Sequence, residues 1–113
     1  MNFKSVVKNK VTILRLQDDR LDSTIASELK AQLLVLIEEG NVNILIDLAK
    51  VGYTDSSGLG AILFGIRQAR PVNGKIKLVN LQSRVLSLIK IAKLDNVIEA
   101  YDDEAEALES FKE

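Results

Sequence analysis

Cysteine, histidine and tryptophan are all missing from these 113 residues. Without cysteine there is no disulfide and no thiolate ligand, and without histidine there is neither an imidazole ligand nor the usual general base for a serine nucleophile. Most hydrolase and metalloenzyme chemistries are excluded on that ground, and the chain is expected to be no enzyme and to need no cofactor or metal. An excess of either charge is also missing: 15 basic and 16 acidic residues leave a net charge of −1. No basic field exists to collect phosphates by counterion release, so nucleic acid is not an expected partner. The start, Met1-Asn2-Phe3-Lys4-Ser5-Val6-Val7-Lys8, lacks the apolar core of a signal peptide. No later segment approaches the roughly 20 apolar residues of a membrane-spanning helix. A cytoplasmic protein without a membrane partner is the expectation.

Nearly half of the chain, 47%, is hydrophobic, enough for one compact core, and the length suits one domain over residues 1–113. Phe3 to Val7 and Val11 to Leu16 are short, β-branched and partly alternating, and Lys8-Asn9-Lys10 between them predicts a hairpin. Asp22-Ser23-Thr24 starts a helix with Ile25, Leu29, Leu33 and Leu36 on one face, closed near Gly40 about 16 residues on. Val42 to Leu48 is an apolar run of strand length. A second helix runs to about Arg70, where Pro71 cannot continue it and Asn73-Gly74 supplies a turn. Lys75 to Val79 alternates as a further strand. Ser83 is expected to cap a third helix carrying Val85, Leu86, Ile89 and Ala92, followed by a short edge strand at Val97-Ile98. Asp103 with Glu106 has the form of a capping box for a last helix through Leu108 and Phe111. The order implies an α/β fold: a mixed four- to five-stranded sheet with about four helices. The acidic stretch from Glu99 to Glu106 is expected to be a solvated helix face.

The most informative stretch is Asp55-Ser56-Ser57-Gly58-Leu59-Gly60, which lies where the apolar run has ended and a helical pattern of Leu59, Ile62, Leu63 and Ile66 begins. A helix N-terminus exposes unpaired N–H groups and the positive end of the macrodipole, so it favours aspartate and serine caps and also tolerates phosphate. Two uses compete. In the plainer one, Asp55, Ser56 and Ser57 cap the helix while Gly58 and Gly60 allow tight packing against the strand. In the sharper one, Ser56 accepts a phosphate, whose charge of about −1.5 to −2 the helix dipole accommodates. Phosphorylation would then alter the surface and leave the fold in place.

Other patterns are weaker. Gly58-Leu59-Gly60 follows a strand and opens a helix, as a dinucleotide fingerprint does, but Leu63 occupies the third glycine position. No loop ends in Gly-Lys-Ser or Gly-Lys-Thr, so no P-loop is present. Asp22, Asp47 and Asp55 lie at strand ends where magnesium sites occur, yet Asp22 suits a helix cap and Asp47 faces away from Ile46 and Leu48. Phe64 falls about 140° around the helix from Leu59 and is a candidate anchor for a partner near the Ser56 end. Leu34 and Val35 lie similarly off the main face of the first helix.

Ile46-Asp47-Leu48 followed by Val51-Gly52-Tyr53-Thr54-Asp55-Ser56-Ser57-Gly58-Leu59-Gly60 resembles the signature of bacterial STAS-domain anti-sigma factor antagonists. The similarity extends through Arg20-Leu21-Asp22, Lys77-Leu78-Val79-Asn80 and Leu94-Asp95-Asn96-Val97-Ile98, nearly the whole chain. Tyr53-Thr54 departs from it, standing where many relatives carry two apolar residues. The resemblance implies a partner switch. The unmodified antagonist binds an anti-sigma factor that is also a serine kinase and so frees a sigma factor. The kinase, with its own ATP and magnesium, phosphorylates and expels the antagonist, and a serine phosphatase resets it. It implies Ser56 as the phosphoacceptor and Asp22 as an acid near it that contacts the kinase; Asp55, Ser57, Gly58, Gly60 and Phe64 complete the expected partner surface, and the free protein is expected to be a monomer. STAS domains also serve as docking modules in secretion control, stress complexes and lipid-transport assemblies, which is the alternative reading. A third, a small-ligand or nucleotide-binding enzyme, rests on fold class alone.

Overall fold

The computed structural model describes residues 1–112. Strands β1 (Phe3–Lys8) and β2 (Val11–Leu16) form the expected hairpin, paired Phe3 to Leu16 through Lys8 to Val11. Its two-residue loop, Asn9 and Lys10, has φ of 52° and 66°, the left-handed pair that matches the twist of the flanking strands. Strands β4 (Asn43–Asp47) and β6 (Lys75–Val79) continue the sheet in parallel, and β7 (Ala100–Tyr101) ends it. The order is β1-β2-β4-β6-β7, a mixed five-stranded sheet. A separate two-stranded ribbon pairs β3 (Arg20–Leu21) with β5 (Tyr53–Thr54) in parallel.

The central strands bury apolar residues on both faces because both are covered, although one face also holds Asp47 and Lys77. Helices α1 (Ser23–Glu38), α2 (Ser56–Ala69) and α3 (Ser83–Ile91) bury Leu14, Leu16, Ile44, Ile46, Ile76 and Leu78. The alternate residues Val11, Ile13, Leu45 and Val79 are buried on the opposite face with Ala107 and Leu108 of α4 (Glu104–Ser110). Helix α1 buries Ala26, Leu29, Leu33 and Leu36 and leaves Val35 exposed. Gly40, at φ 92°, closes α1: its N–H reaches Ile37 O and that of Asn41 reaches Leu36 O, a left-handed cap that glycine adopts without a Cβ penalty. Helix α2 gives way at Ala69 to a 3-10 turn over Arg70–Val72 that contains Pro71.

Four details differ from the sequence reading. Val97 and Ile98 are no strand. Both amides bond to Leu94 O in a turn after α3, Ile98 is buried in the core, and the edge strand forms two residues later at Ala100. The N-cap of α3 is Gln82 with no side-chain cap bond, so Ser83 lies inside the helix; Gln82 donates instead to Ala49 O at 2.9 Å. Of the face expected for α3, Val85 and Ile89 are buried and Ala92 is exposed. The acidic stretch is more than a solvated face, because two of its carboxylates pair with cations rooted in the sheet. Lys77, only 3% exposed, donates to Ser110 O and Oγ and pairs with Glu99 at 3.2 Å. Glu104 takes Arg15. The capping box is half formed as drawn, with Asp103 accepting from Glu106 N at 3.0 Å.

Candidate functional site

The ribbon β3–β5 sets two helix starts side by side. Leu21 pairs with Thr54 in parallel register, and one residue beyond each stands an aspartate in extended backbone. Asp22 caps α1 by accepting from Ile25 N at 3.2 Å, and Asp55 caps α2 by accepting from Gly58 N at 3.1 Å. Each carboxylate thus satisfies an otherwise unpaired N–H of the first turn and sits at the positive end of a dipole. Ser56 and Ser57 follow Asp55 and are exposed, as are Ser23 and Thr24 after Asp22. The Ser56 hydroxyl stands at the surface, on a helix already capped by its neighbour, so it is not needed as the cap.

Gly58 is buried because the ribbon passes directly beneath it. A Cβ there would collide with Thr54 Oγ1 and come within 2.6 Å of Leu21 O and 2.8 Å of Leu21 Cγ. Thr54 is itself 2% exposed and donates toward Leu21 O and Asp55 O at 3.3 and 3.2 Å. Its hydroxyl is therefore satisfied, and a polar residue is tolerated in that buried position. Gly60 differs from the expectation: a Cβ there meets nothing within 4 Å, so it serves no close packing and leaves the first turn of α2 low. Tyr53 lies under the Arg20 guanidinium, 4.6 Å from its ring centroid, and Arg20 Nε is 3.9 Å from Asp22 Oδ2.

The loop between β4 and β5 delivers the site and is tied down along its length. Asp47 Oδ1 accepts from Ala49 N at 3.0 Å and from Asn80 Nδ2 at 3.2 Å, and its Oδ2 takes Arg15 Nη1 at 2.9 Å. Gly52 N reaches Asp19 O at 2.9 Å, and Lys50 Nζ reaches Gln17 Oε1 at 2.8 Å. Arg15 also forks onto Glu104 at 2.6 and 3.3 Å, and Lys8 adds a third contact at 2.9 Å. The hydrogen bonds from Arg15, and then those from Lys8, hold the Glu104 carboxyl down at about 2, and the two acids raise the Arg15 guanidinium further above its ordinary range. These roles of Arg15, Asp47 and Glu104 were missed from the sequence. The signal was present in part: Arg15 shares parity with buried Val11 and Ile13, where a cation demands an acid on the same face.

Of the residues singled out, Asp22, Asp55, Ser56, Ser57, Gly58 and Gly60 share one end of the molecule. Phe64 does not join them closely. It lies eight residues along α2 from Ser56, about 12 Å along the axis, half-buried with Lys30 Nζ 5.6 Å from its ring centroid. Asp47 is engaged with Arg15, so Asp22, Asp47 and Asp55 make no cation cluster; among the described residues no group of three acidic side chains could hold a metal ion. Clefts of about 230 Å³ beside Ile66, Arg70 and Lys75 and about 310 Å³ beside Phe3, Ala31 and Val35 lie away from Ser56. At the Ser56 end the exposed Ser56 and Ser57 stand beside the half-buried Asp22 and Asp55, polar groups that a protein face can meet. Among the described residues no helix is long and apolar enough to cross a membrane.

Residues 2–107 match the family model of the STAS domain. An anti-sigma-B factor antagonist of Bacillus subtilis (strain 168) is 33% identical over 79 residues, covering 70% of this chain and 72% of that protein. Solved structures of the anti-sigma factor antagonist SpoIIAA in its unphosphorylated form and of the Bacillus cell fate determinant SpoIIAA in the phosphorylated form superpose with TM-scores of 0.75 and 0.73. Each is 22% identical and covers 98% of this chain, and 98% and 100% of the respective SpoIIAA chains are covered in return. The five-stranded sheet, the four helices and the match along almost the whole sequence place this chain in the STAS-domain family.

Proposed function

We propose that this chain is an anti-sigma factor antagonist, a cytoplasmic regulator and not an enzyme, switched by reversible phosphorylation of Ser56. The observation that carries the reading is an exposed Ser56 immediately after Asp55, which already caps α2. The hydroxyl can take a phosphate without loss of the cap. In the unmodified state the surface around Asp22, Asp55, Ser57 and Gly60, with buried Gly58 keeping α2 down on the ribbon, seats an anti-sigma factor that is a serine kinase. Phe64 lies at the periphery of that contact. The relatives named as anti-sigma-B factor antagonists support this partner class.

A phosphate on Ser56 adds about −1.5 to −2 charges next to Asp55 and near Asp22. When the interface closes, that charge loses its water without gaining a partner, a cost of several kcal/mol that weakens binding by 10²-fold or more. The helix dipole offsets the local cost of the dianion within the free protein, so the scaffold persists. A serine phosphatase returns the chain to its binding form.

Incubation with the cognate kinase and ATP, followed by mapping of the phosphate by mass spectrometry, tests the reading. Modification of Ser56 is expected. Modification elsewhere, or none, counts against the switch and favours a constitutive docking subunit.

A further inference from the structure

Helix α4 has no part in the mechanism above, yet charged contacts join it to Asp47, and from Asp47 hydrogen bonds and the backbone lead on to the start of α2. Glu104 in its first turn holds Arg15 Nη1 and Nη2 at 2.6 and 3.3 Å, and the same Nη1 holds Asp47 Oδ2 at 2.9 Å. The other oxygen of Asp47 fixes Ala49 N and Asn80 Nδ2. From Ala49 the chain passes through Gly52, bonded to Asp19 O, into β5 and the Asp55 cap. Asp47 is 7% exposed, so it depends on Arg15 and on these donors for its charge to be tolerated.

We propose that Asp47 is a positioning residue for the start of α2, and that Glu104 sets it through Arg15, making α4 a control element for the Ser56 end from the opposite face of the sheet. The inference deepens the assignment of Ser56 as the switch residue and rests on it for its regulatory meaning.

The physical basis is that Arg15 is shared. With α4 seated, the guanidinium is held from both sides and stays in register with Asp47. With α4 displaced, water reaches Arg15 and Asp47, and the carboxylate no longer competes as well for the Ala49 amide. The loop from 48 to 52 then gains freedom, and with it the frame of Asp55 and Ser56. Helix α4 suits such a role because it is short and buries only Ala107 and Leu108. Its seating depends heavily on Arg15 and Lys8 at one end and Lys77 at the other. Coupling is reciprocal, so a protein that clamps the Ser56 end also tightens α4.

Amide hydrogen exchange on the full chain tests this without any kinase, and so separately from the phospho-switch itself. In Glu104→Gln the amides of Ala49, Gly52 and Gly58 are expected to exchange about tenfold faster than in the parent, within the range by which network contacts modulate coupling. The middle of α1, which touches none of these groups, keeps its protection. Glu104→Asp, which retains the charge, is expected to recover much of the loss. Faster exchange confined to residues 104–110, a uniform rise across the molecule, or equal effects of the two substitutions would overturn the proposal. If Asp47→Asn also folds, it should reproduce the pattern at 49, 52 and 58 while α4 stays protected at Ser110, where Lys77 still holds it.

Discussion

Asp22 and Asp55 occupy equivalent places: each stands one residue beyond a pair matched across the β3–β5 ribbon, Leu21 and Thr54, and each caps the helix that follows by accepting from the N–H three residues on. Two positive helix ends and two carboxylates therefore face the same side of the molecule. With the Arg20 guanidinium beside Asp22 and about +0.5 charge at each helix end, the two carboxylates are nearly offset, and a dianion added at Ser56 tips the surface toward negative charge. This arrangement accounts for both halves of the proposed switch, a fold that survives phosphorylation and a surface that does not remain the same after it.

The two glycines of the α2 start should behave in opposite ways. Gly58→Ala forces a Cβ against Thr54 Oγ1 and the Leu21 carbonyl, and is expected to cost about 2–3 kcal/mol, an overpacking penalty against backbone. Gly60→Ala enters open space on a helix and is expected to add about 0.5–1 kcal/mol. Urea unfolding of the two variants measures both. Equal effects would contradict the geometry of the ribbon beneath α2.

The hairpin offers a second stability test. Lys10 holds φ at 66°, a conformation that costs a side-chain-bearing residue about 1 kcal/mol, in a loop whose preferred sequence is Asn-Gly. Lys10→Gly is therefore expected to stabilise the protein by about 0.5–1 kcal/mol, raising the urea midpoint with the slope unchanged.

The ion cluster under α4 predicts a pH dependence. Glu104 titrates at about 2 in the folded protein, against 4.5 for an unperturbed side chain, chiefly because Arg15 and Lys8 bond to it. A depressed carboxylate contributes its stability in full above the unfolded value and loses it as pH falls through the folded one. Glu104→Gln should thus be less stable than the parent by about 1–2 kcal/mol at neutral pH. That gap should narrow below about 4.5 and close near 2. Chemical denaturation at pH 7, 4 and 2.5 follows it, and a gap independent of pH would exclude Glu104 as the responsible group.

Much of this architecture could be read before the coordinates. The run from Val42 to Leu48 is apolar and of strand length, with Val42, Ile44, Ile46 and Leu48 on one parity and Leu45 on the other, which is enough to mark a buried strand, and the capping aspartates 22, 55 and 103 announced three helix starts correctly. The residue pattern at Ser56 left capping and phosphate acceptance in competition, and it was the resemblance to the STAS signature that singled out this hydroxyl. What escaped notice had no period to reveal it. Strands of two residues, Arg20–Leu21 and Tyr53–Thr54, are too short to alternate, so the ribbon that brings Asp22 beside Asp55 was invisible. Val97-Ile98 carried β-branched side chains and looked like an edge, but Ile98 is drawn into the core by the turn on Leu94. Lys77 fitted the alternation of its strand as an outward polar residue and Arg15 drew no comment; only the tertiary fold shows that α4 brings Ser110 and Glu104 to meet them.

The central claim is that charge on one hydroxyl decides binding. Titration of the cognate anti-sigma factor with the unmodified chain, Ser56→Ala and the Ser56-phosphorylated chain, by calorimetry at fixed salt, measures it directly. The account predicts that the first two bind alike and that the phosphorylated chain binds at least 10²-fold more weakly, a difference of about 2.7 kcal/mol. Equal affinity of all three would contradict it.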